Sequence, residues 1–134
     1  MNKNFYCLGL MSGTSMDGID GSIIYSNGVD NFEVIQNFYY KYESKLNEKL
    51  SYIKNKIINF KNLKYYEKDL NDLEREITIL HAKFANKIIK NSNKEIDLVG
   101  FHGQTIYHNS DEKISKQLGD GALLSQLIKK KIVY

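Results

Sequence analysis

The sequence predicts an α/β domain: a mixed sheet of about five strands, led by a three-stranded antiparallel meander and covered by helices. Three observations predict it. Short apolar runs at residues 5–8 and 23–25, followed by Phe32, Val34, Phe38 and Tyr40 at even positions, have the two-residue period of strands. From Leu46 to Ile88 the apolar residues recur every three or four positions, the period of a helix. Beyond them a β-branched and aromatic run at 96–101 and a last one at 132–134 return to strand composition, with a helix from about Gly121 to Lys129 between. A chain of 134 residues buries one core, so one domain is expected.

In order, Phe5-Tyr6-Cys7-Leu8 opens the sheet, and residues 9–20 form the bend of a hairpin whose second strand contains Ile23-Ile24-Tyr25. Asn27-Gly28 turns the chain into the third strand, residues 32–42, where Gln36 interrupts the alternation. Ser44 is placed to cap a helix carrying Leu46, Leu50, Ile53, Ile57 and Phe60 on one face. A longer helix follows, with Tyr66, Leu70, Leu73, Ile77, Leu80, Phe84 and Ile88 in its stripe and an end near Asn91-Ser92-Asn93. A coiled-coil hairpin for a partner is the alternative, but helices this short between strands pack on their own sheet. His81 adjoins the stripe with no metal partner nearby, and reads as a structural histidine. The run at 96–101 delivers His102-Gly103-Gln104-Thr105-Ile106-Tyr107-His108 as a loop. Asp120 is the natural N-cap of the last helix, Lys129-Lys130-Lys131 suits its C-terminal dipole, and Ile132-Val133-Tyr134 begins one more strand.

Composition excludes several classes of function. The net charge is +3, with Lys scattered among Asn and Glu, which argues against a nucleic-acid partner. Cys7 is the only cysteine, so no disulfide closes within the chain, in keeping with a reducing compartment. The apolar stretch at 5–11 is too short for a membrane span and holds Gly9, and no signal-peptide pattern is present. A soluble cytoplasmic protein with no membrane partner is expected.

The hairpin bend carries the chemistry. Gly9-Leu10-Met11-Ser12-Gly13-Thr14-Ser15-Met16-Asp17-Gly18-Ile19-Asp20 interleaves hydroxyls, carboxylates and glycines between apolar flanks. It lacks the Lys-Ser/Thr end and following helix of a Walker loop, and its glycine spacing is wrong for the dinucleotide fingerprint. What remains is a hairpin whose amides and hydroxyls at Ser12, Thr14 and Ser15 surround a polyphosphate, with Asp17 or Asp20 holding water on magnesium. The alternative for such a turn is an ordinary polar bend. The second cluster, His102 to His108, follows a strand, where open α/β sheets meet ligands. On an extended strand the two histidines stand roughly 20 Å apart, which disfavours a shared metal. Hydrogen bonding to sugar hydroxyls is the better use, with Gly103 leaving space for the ring.

These strings, with Gln117-Leu118-Gly119-Asp120, resemble in the same order three signatures of the anhydro-N-acetylmuramic acid kinases, members of the actin and sugar-kinase superfamily. The likeness runs from Phe5 to the last residue. It implies the ribonuclease-H-like fold of an actin-like ATPase domain. It further implies an enzyme that uses ATP to phosphorylate 1,6-anhydro-N-acetylmuramic acid at O6 while water opens the anhydro ring, giving N-acetylmuramic acid 6-phosphate in cell-wall recycling. Carried over by residue, Gly13, Thr14, Ser15, Met16, Asp17, Gly18, Ile19 and Asp20 form the ATP phosphate loop. Asp17 holds Mg2+ through water, and His102, Gln104, Thr105, Gln117 and Asp120 line the sugar side. In the family the carboxylate that activates water belongs to an Asp-Phe-Arg motif immediately beyond the strand that here ends at Tyr134, and a second domain closes the cleft. Residues 1–134 are therefore expected to be the N-terminal domain of a two-domain sugar kinase, inactive alone. A complementary C-terminal fragment and a homodimer are the partners the resemblance suggests. The alternatives are a non-catalytic nucleotide- or partner-binding fragment and another sugar kinase of the superfamily.

Overall fold

The computed structural model describes residues 3–134. The strands are β1 (Phe5–Ser12), β2 (Gly18–Ser26), β3 (Phe32–Lys41), β4 (Leu98–Asn109), β5 (Ile114–Leu118) and β6 (Lys131–Val133). The helices are α1 (Ser44–Lys56), α2 (Phe60–Tyr65), α3 (Glu67–Asn91) and α4 (Gly121–Ile128). The sheet runs β3-β2-β1-β4-β5, and β6 also pairs with β4. The meander β1-β2-β3 is antiparallel, whereas β4 lies parallel to β1 and to β6. This is the mixed α/β sheet expected of an actin-like ATPase domain, with six strands rather than five.

The added strand is β5. It pairs antiparallel with the second half of β4, so residues 102–108 continue a long strand instead of leaving it as a loop. Its hairpin is closed by Asn109, whose Oδ1 accepts from the amides of Asp111 and Glu112. Ile114 and Leu118 are the only apolar residues of β5, too few to show a period.

One face of the sheet is buried under helices. Leu8 and Leu10 of β1, Ile19 and Ile23 of β2, and Val99 and Phe101 of β4 all point there. Against them α3 lays Leu70, Leu73, Ile77, His81, Phe84 and Ile88, spaced three or four apart. Gly21 lets α3 approach, since a Cβ there would stand 3.1 Å from Ile88 and 3.2 Å from Phe84. The other face is uncovered among the described residues, and Met11, Val34 and Tyr39 are half exposed on it. β3 serves both faces because an extra residue opposite Ile23 and Ile24 shifts the register. Phe38 and Tyr40 therefore pack toward the helices, while Phe32 and Val34, of the same parity, turn to the open side.

The first helix differs from expectation at both ends. Glu43, not Ser44, is its N-cap, and it makes no side-chain capping bond. The stripe also breaks before Phe60: Ile57 is extended, and Asn59 begins α2 with a reciprocal cap shared with Asn62. Asp120 caps α4 as expected, its Oδ1 accepting from the Leu123 amide at 2.9 Å.

Candidate functional site

Residues 13–17 join β1 to β2 at the end of the sheet beside the middle of β4. Thr14, Ser15 and Asp17 are exposed. Met16 is its anchor: the side chain is 3% exposed although the backbone takes the left-handed conformation at φ 57. Gly18 ends the turn where a Cβ would stand 2.3 Å from the Tyr40 carbonyl and 2.7 Å from the Tyr39 hydroxyl, so only glycine fits.

The loop carbonyls are held from the body of the protein. Gly13 O accepts from Gln104 Nε2 at 2.6 Å and from the Met16 amide at 3.3 Å. Thr14 O accepts from Lys54 Nζ at 3.4 Å, Met16 O from Asn47 Nδ2 at 2.7 Å, and Asp17 O from the Tyr42 amide at 2.8 Å. In a trans peptide the next N–H points opposite to the carbonyl, and no cis bond occurs among the described residues. The amides of Thr14, Ser15 and Asp17 are thereby turned away from the donors that hold the loop, an arrangement suited to an anion.

The Asp17 carboxylate already uses part of this field. Ser15 Oγ donates to its Oδ1 at 2.5 Å. The Ser15 hydroxyl first, then the backbone amides of Asp17 and Gly18 and the Tyr39 hydroxyl, hold its carboxyl below the usual range. Asp17 is therefore ionised at neutral pH. Asp20 lies on β2, on the uncovered face opposite Met11 and Tyr39.

Beneath the loop lies a buried polar cluster. Ser12, expected among the polyphosphate ligands, is instead the inward end of β1, its buried hydroxyl standing 3.1 Å from His81 Nε2 and 2.9 Å from the Tyr42 hydroxyl. Tyr42 is also 3.1 Å from Gln104 Oε1. His81 Nδ1 lies 2.8 Å from the Ile77 carbonyl, which can only accept, so Nδ1 carries the proton and Nε2 accepts from Ser12. Burial lowers the His81 pKa to about 4, against a smaller opposing effect of the Ile77 bond, and the ring is neutral. Burial likewise pushes Tyr42 up to about 12, so it remains a hydroxyl. Ser12, His81 and Gln104 are each 0% exposed, and among the described residues no buried side-chain polar atom lacks a partner.

The other expected site residues are distributed along β4 and β5 and at the start of α4. Gln104 is the one in direct contact with the loop, and its amide is spent on Gly13 O and Thr105 O, at 2.6 and 3.0 Å. His102 is exposed and lines a shallow depression of the open face with Met11, Asp20 and Ser22. Thr105 is buried, opposite Gln117 in the β4–β5 ladder, and Gln117 Nε2 donates to Ser115 Oγ at 2.6 Å. Asp120 is exposed at the start of α4, its amide donating to Thr78 Oγ1 at 3.0 Å. Gly103 makes no room for a ring: it is buried at φ +76, where a Cβ would stand 2.4 Å from the Leu118 carbonyl. Tyr42 and the role of His81 were not foreseen. The signal for the cluster is parity, because Ser12 continues Leu8 and Leu10, and Tyr42 continues Phe38 and Tyr40, on the inward side.

Comparison with known proteins agrees with these motifs. A profile of the family described as Anhydro-N-acetylmuramic acid kinase matches residues 5–133. A protein of that name from Pelagibacter ubique (strain HTCC1062) is 52% identical over 134 residues, covering all of this chain and 36% of the relative. One from Agrobacterium fabrum is 33% identical over 130 residues, or 95% of this chain and 35% of the relative. One from Rhodospirillum rubrum is 35% identical over 121 residues, or 90% and 31%. The chain spans about a third of the length of these curated relatives. With the profile matched along nearly its whole length, the chain belongs to the anhydro-N-acetylmuramic acid kinase family.

Proposed function

We propose that this chain forms the ATP-phosphate-binding domain of a kinase that phosphorylates 1,6-anhydro-N-acetylmuramic acid with ring opening, giving N-acetylmuramic acid 6-phosphate for cell-wall recycling in the cytoplasm. The observation that carries it is the hairpin loop whose carbonyls are tied inward to Gln104, Lys54, Asn47 and the Tyr42 amide, leaving amides turned outward. Phosphoryl transfer asks a protein chiefly for positioning and charge neutralisation. Gly13 to Asp20 would supply the first around the ATP phosphates. For Mg2+ the fit is to an ion that keeps its waters: Asp17 is exposed and ionised, and no set of three His, Cys, Asp or Glu gathers among the described residues. The ion would supply charge neutralisation on the phosphates, and Asp17 would hold one of its waters.

On the sugar side His102 and, farther along the chain, Gln117 and Asp120 are the groups that are not buried. Gln104 and Thr105 act from inside, the former by holding Gly13. The water-activating carboxylate and the second domain are assigned to the part of the relatives' length that this chain does not match, so the 134-residue chain alone binds MgATP without turnover. A complementary C-terminal polypeptide would then restore turnover, and a homodimer is the assembly the family suggests. A non-catalytic nucleotide-binding module is the second reading, and MgATP binding that no complementary polypeptide converts into turnover would favour it.

The test is ADP release by the purified chain with magnesium, ATP and 1,6-anhydro-N-acetylmuramic acid, beside a titration of its amide spectrum with MgATP. Shifts at Thr14, Ser15 and Asp17 without ADP release are expected. Sugar-dependent ADP release would overturn the requirement for the remaining length. Absence of any loop shift would overturn the phosphate-loop assignment.

A further inference from the structure

We propose that His81, from the middle of α3, is a positioning residue for the hairpin loop, acting through Ser12, Tyr42 and Gln104 to fix the inward direction of the Gly13 carbonyl. The path is continuous in hydrogen bonds. The Ile77 carbonyl accepts from His81 Nδ1 at 2.8 Å, and His81 Nε2 accepts from Ser12 Oγ at 3.1 Å. Ser12 Oγ lies 2.9 Å and Gln104 Oε1 3.1 Å from the Tyr42 hydroxyl, whose single proton is shared between them. Gln104 Nε2 then donates to Gly13 O at 2.6 Å. The path is constrained from both ends, by the Ile77 carbonyl at one and by the Gly13 and Thr105 carbonyls at the other. The Ile77 carbonyl selects the tautomer, the tautomer directs the Ser12 proton to the ring, and Ser12 is left to accept from Tyr42. The Gly13 and Thr105 carbonyls can only accept, so the Gln104 NH2 faces them and its Oε1 is left to take a share of the Tyr42 proton.

A purely structural account explains the burial of these groups but not their pattern. Ser12, His81 and Gln104 are fully buried where apolar side chains of similar size would cost less, and a buried polar network is favourable only when every member is satisfied. Here it is satisfied, and its last bond reaches the peptide whose other end is the Thr14 N–H. Turning that peptide over would aim a carbonyl at the anion position. The inference rests on the loop being the phosphate site, and the two are separable by experiment.

The test uses the 15N-labelled chain and the variants Tyr42→Phe, His81→Leu and His81→Gln, with Ile88→Val as a control elsewhere in the buried face of α3. Two quantities are read: the residual dipolar coupling of the Thr14 N–H without ligand, and the affinity for MgATP from amide shifts. Tyr42→Phe and His81→Leu should move the Thr14 coupling and weaken MgATP by about tenfold, the effect of one buried hydrogen bond. His81→Gln, which keeps an acceptor and a donor, should recover most of both, and Ile88→Val should change neither. An unchanged Thr14 coupling in folded Tyr42→Phe would overturn the proposal. Should His81→Leu fail to fold, Tyr42→Phe decides, since it removes one oxygen only. If the unaltered chain shows no MgATP shifts, the phosphate-site reading fails, while the Thr14 coupling still decides the role of the network.

Discussion

Ser12 shows how a residue of weak sequence signal acquires a strong structural one. It reads as one more hydroxyl in a polar turn, yet it is the inward end of β1 and the junction of His81 and Tyr42. Ser12→Ala should cost about 1–3 kcal/mol in urea unfolding, because a buried acceptor and a buried donor each lose a partner. His81 adds a pH dependence of definite sign. Its pKa falls from 6.5 in the unfolded chain to about 4 in the fold, so the unfolded state binds the proton first as pH drops. Its contribution is complete above about pH 6.5 and is lost as pH falls toward about 4, amounting to about 3 kcal/mol. Unfolding curves between pH 4 and 7 should show that slope, and His81→Gln should flatten it. Gly18→Ala is the steric counterpart: with the Tyr40 carbonyl 2.3 Å from a Cβ, overpacking should cost about 1–3 kcal/mol in the same assay.

Among the elements, α4 separates capping from binding. Asp120→Ala should lower stability by about 1 kcal/mol through loss of the bond to the Leu123 amide, whereas Asp120→Asn should keep it, as asparagine caps equally well. A loss of sugar affinity in Asp120→Asn, measured once a complementary polypeptide restores turnover, would identify a binding role beyond the cap. At the other end Lys129 sits at φ 57, a conformation glycine adopts freely. Lys129→Gly should raise the melting temperature, by about 1 kcal/mol of relieved strain. The long helix was legible because α3 buries a stripe spaced three and four apart over 25 residues, long enough for the period to show, whereas the six residues of α2 are too few. β5 was not legible, because a five-residue edge strand held by an Asx turn and a left-handed Lys113 has no periodic signal. The same limit applies to β3, where parity alone cannot reveal the extra residue that sends Phe32 and Val34 to the opposite face from Phe38.

At the scale of the whole molecule the sheet has one dressed face and one bare face among the described residues. Cys7, Ile24, Val34 and Leu98 form a row across the bare face, and parallel pairs such as β1–β4 are ordinarily covered on both sides. The isolated chain should therefore self-associate with rising concentration in sedimentation velocity, and Val34→Lys should weaken that association. Local order along the chain determined the meander, the amphipathic helices, the cap at Asp120 and the string that places this protein in its family, since each is carried by near neighbours. Only the tertiary structure decided which polar groups meet. Tyr42 and His81 lie 30 and 69 positions from Ser12, and Gln104 lies 62 from Tyr42, and no local pattern encodes a bond across such distances. Those contacts exist because the parallel crossover through α3 brings β4 beside β1, and the direction of the Gly13 peptide is set there.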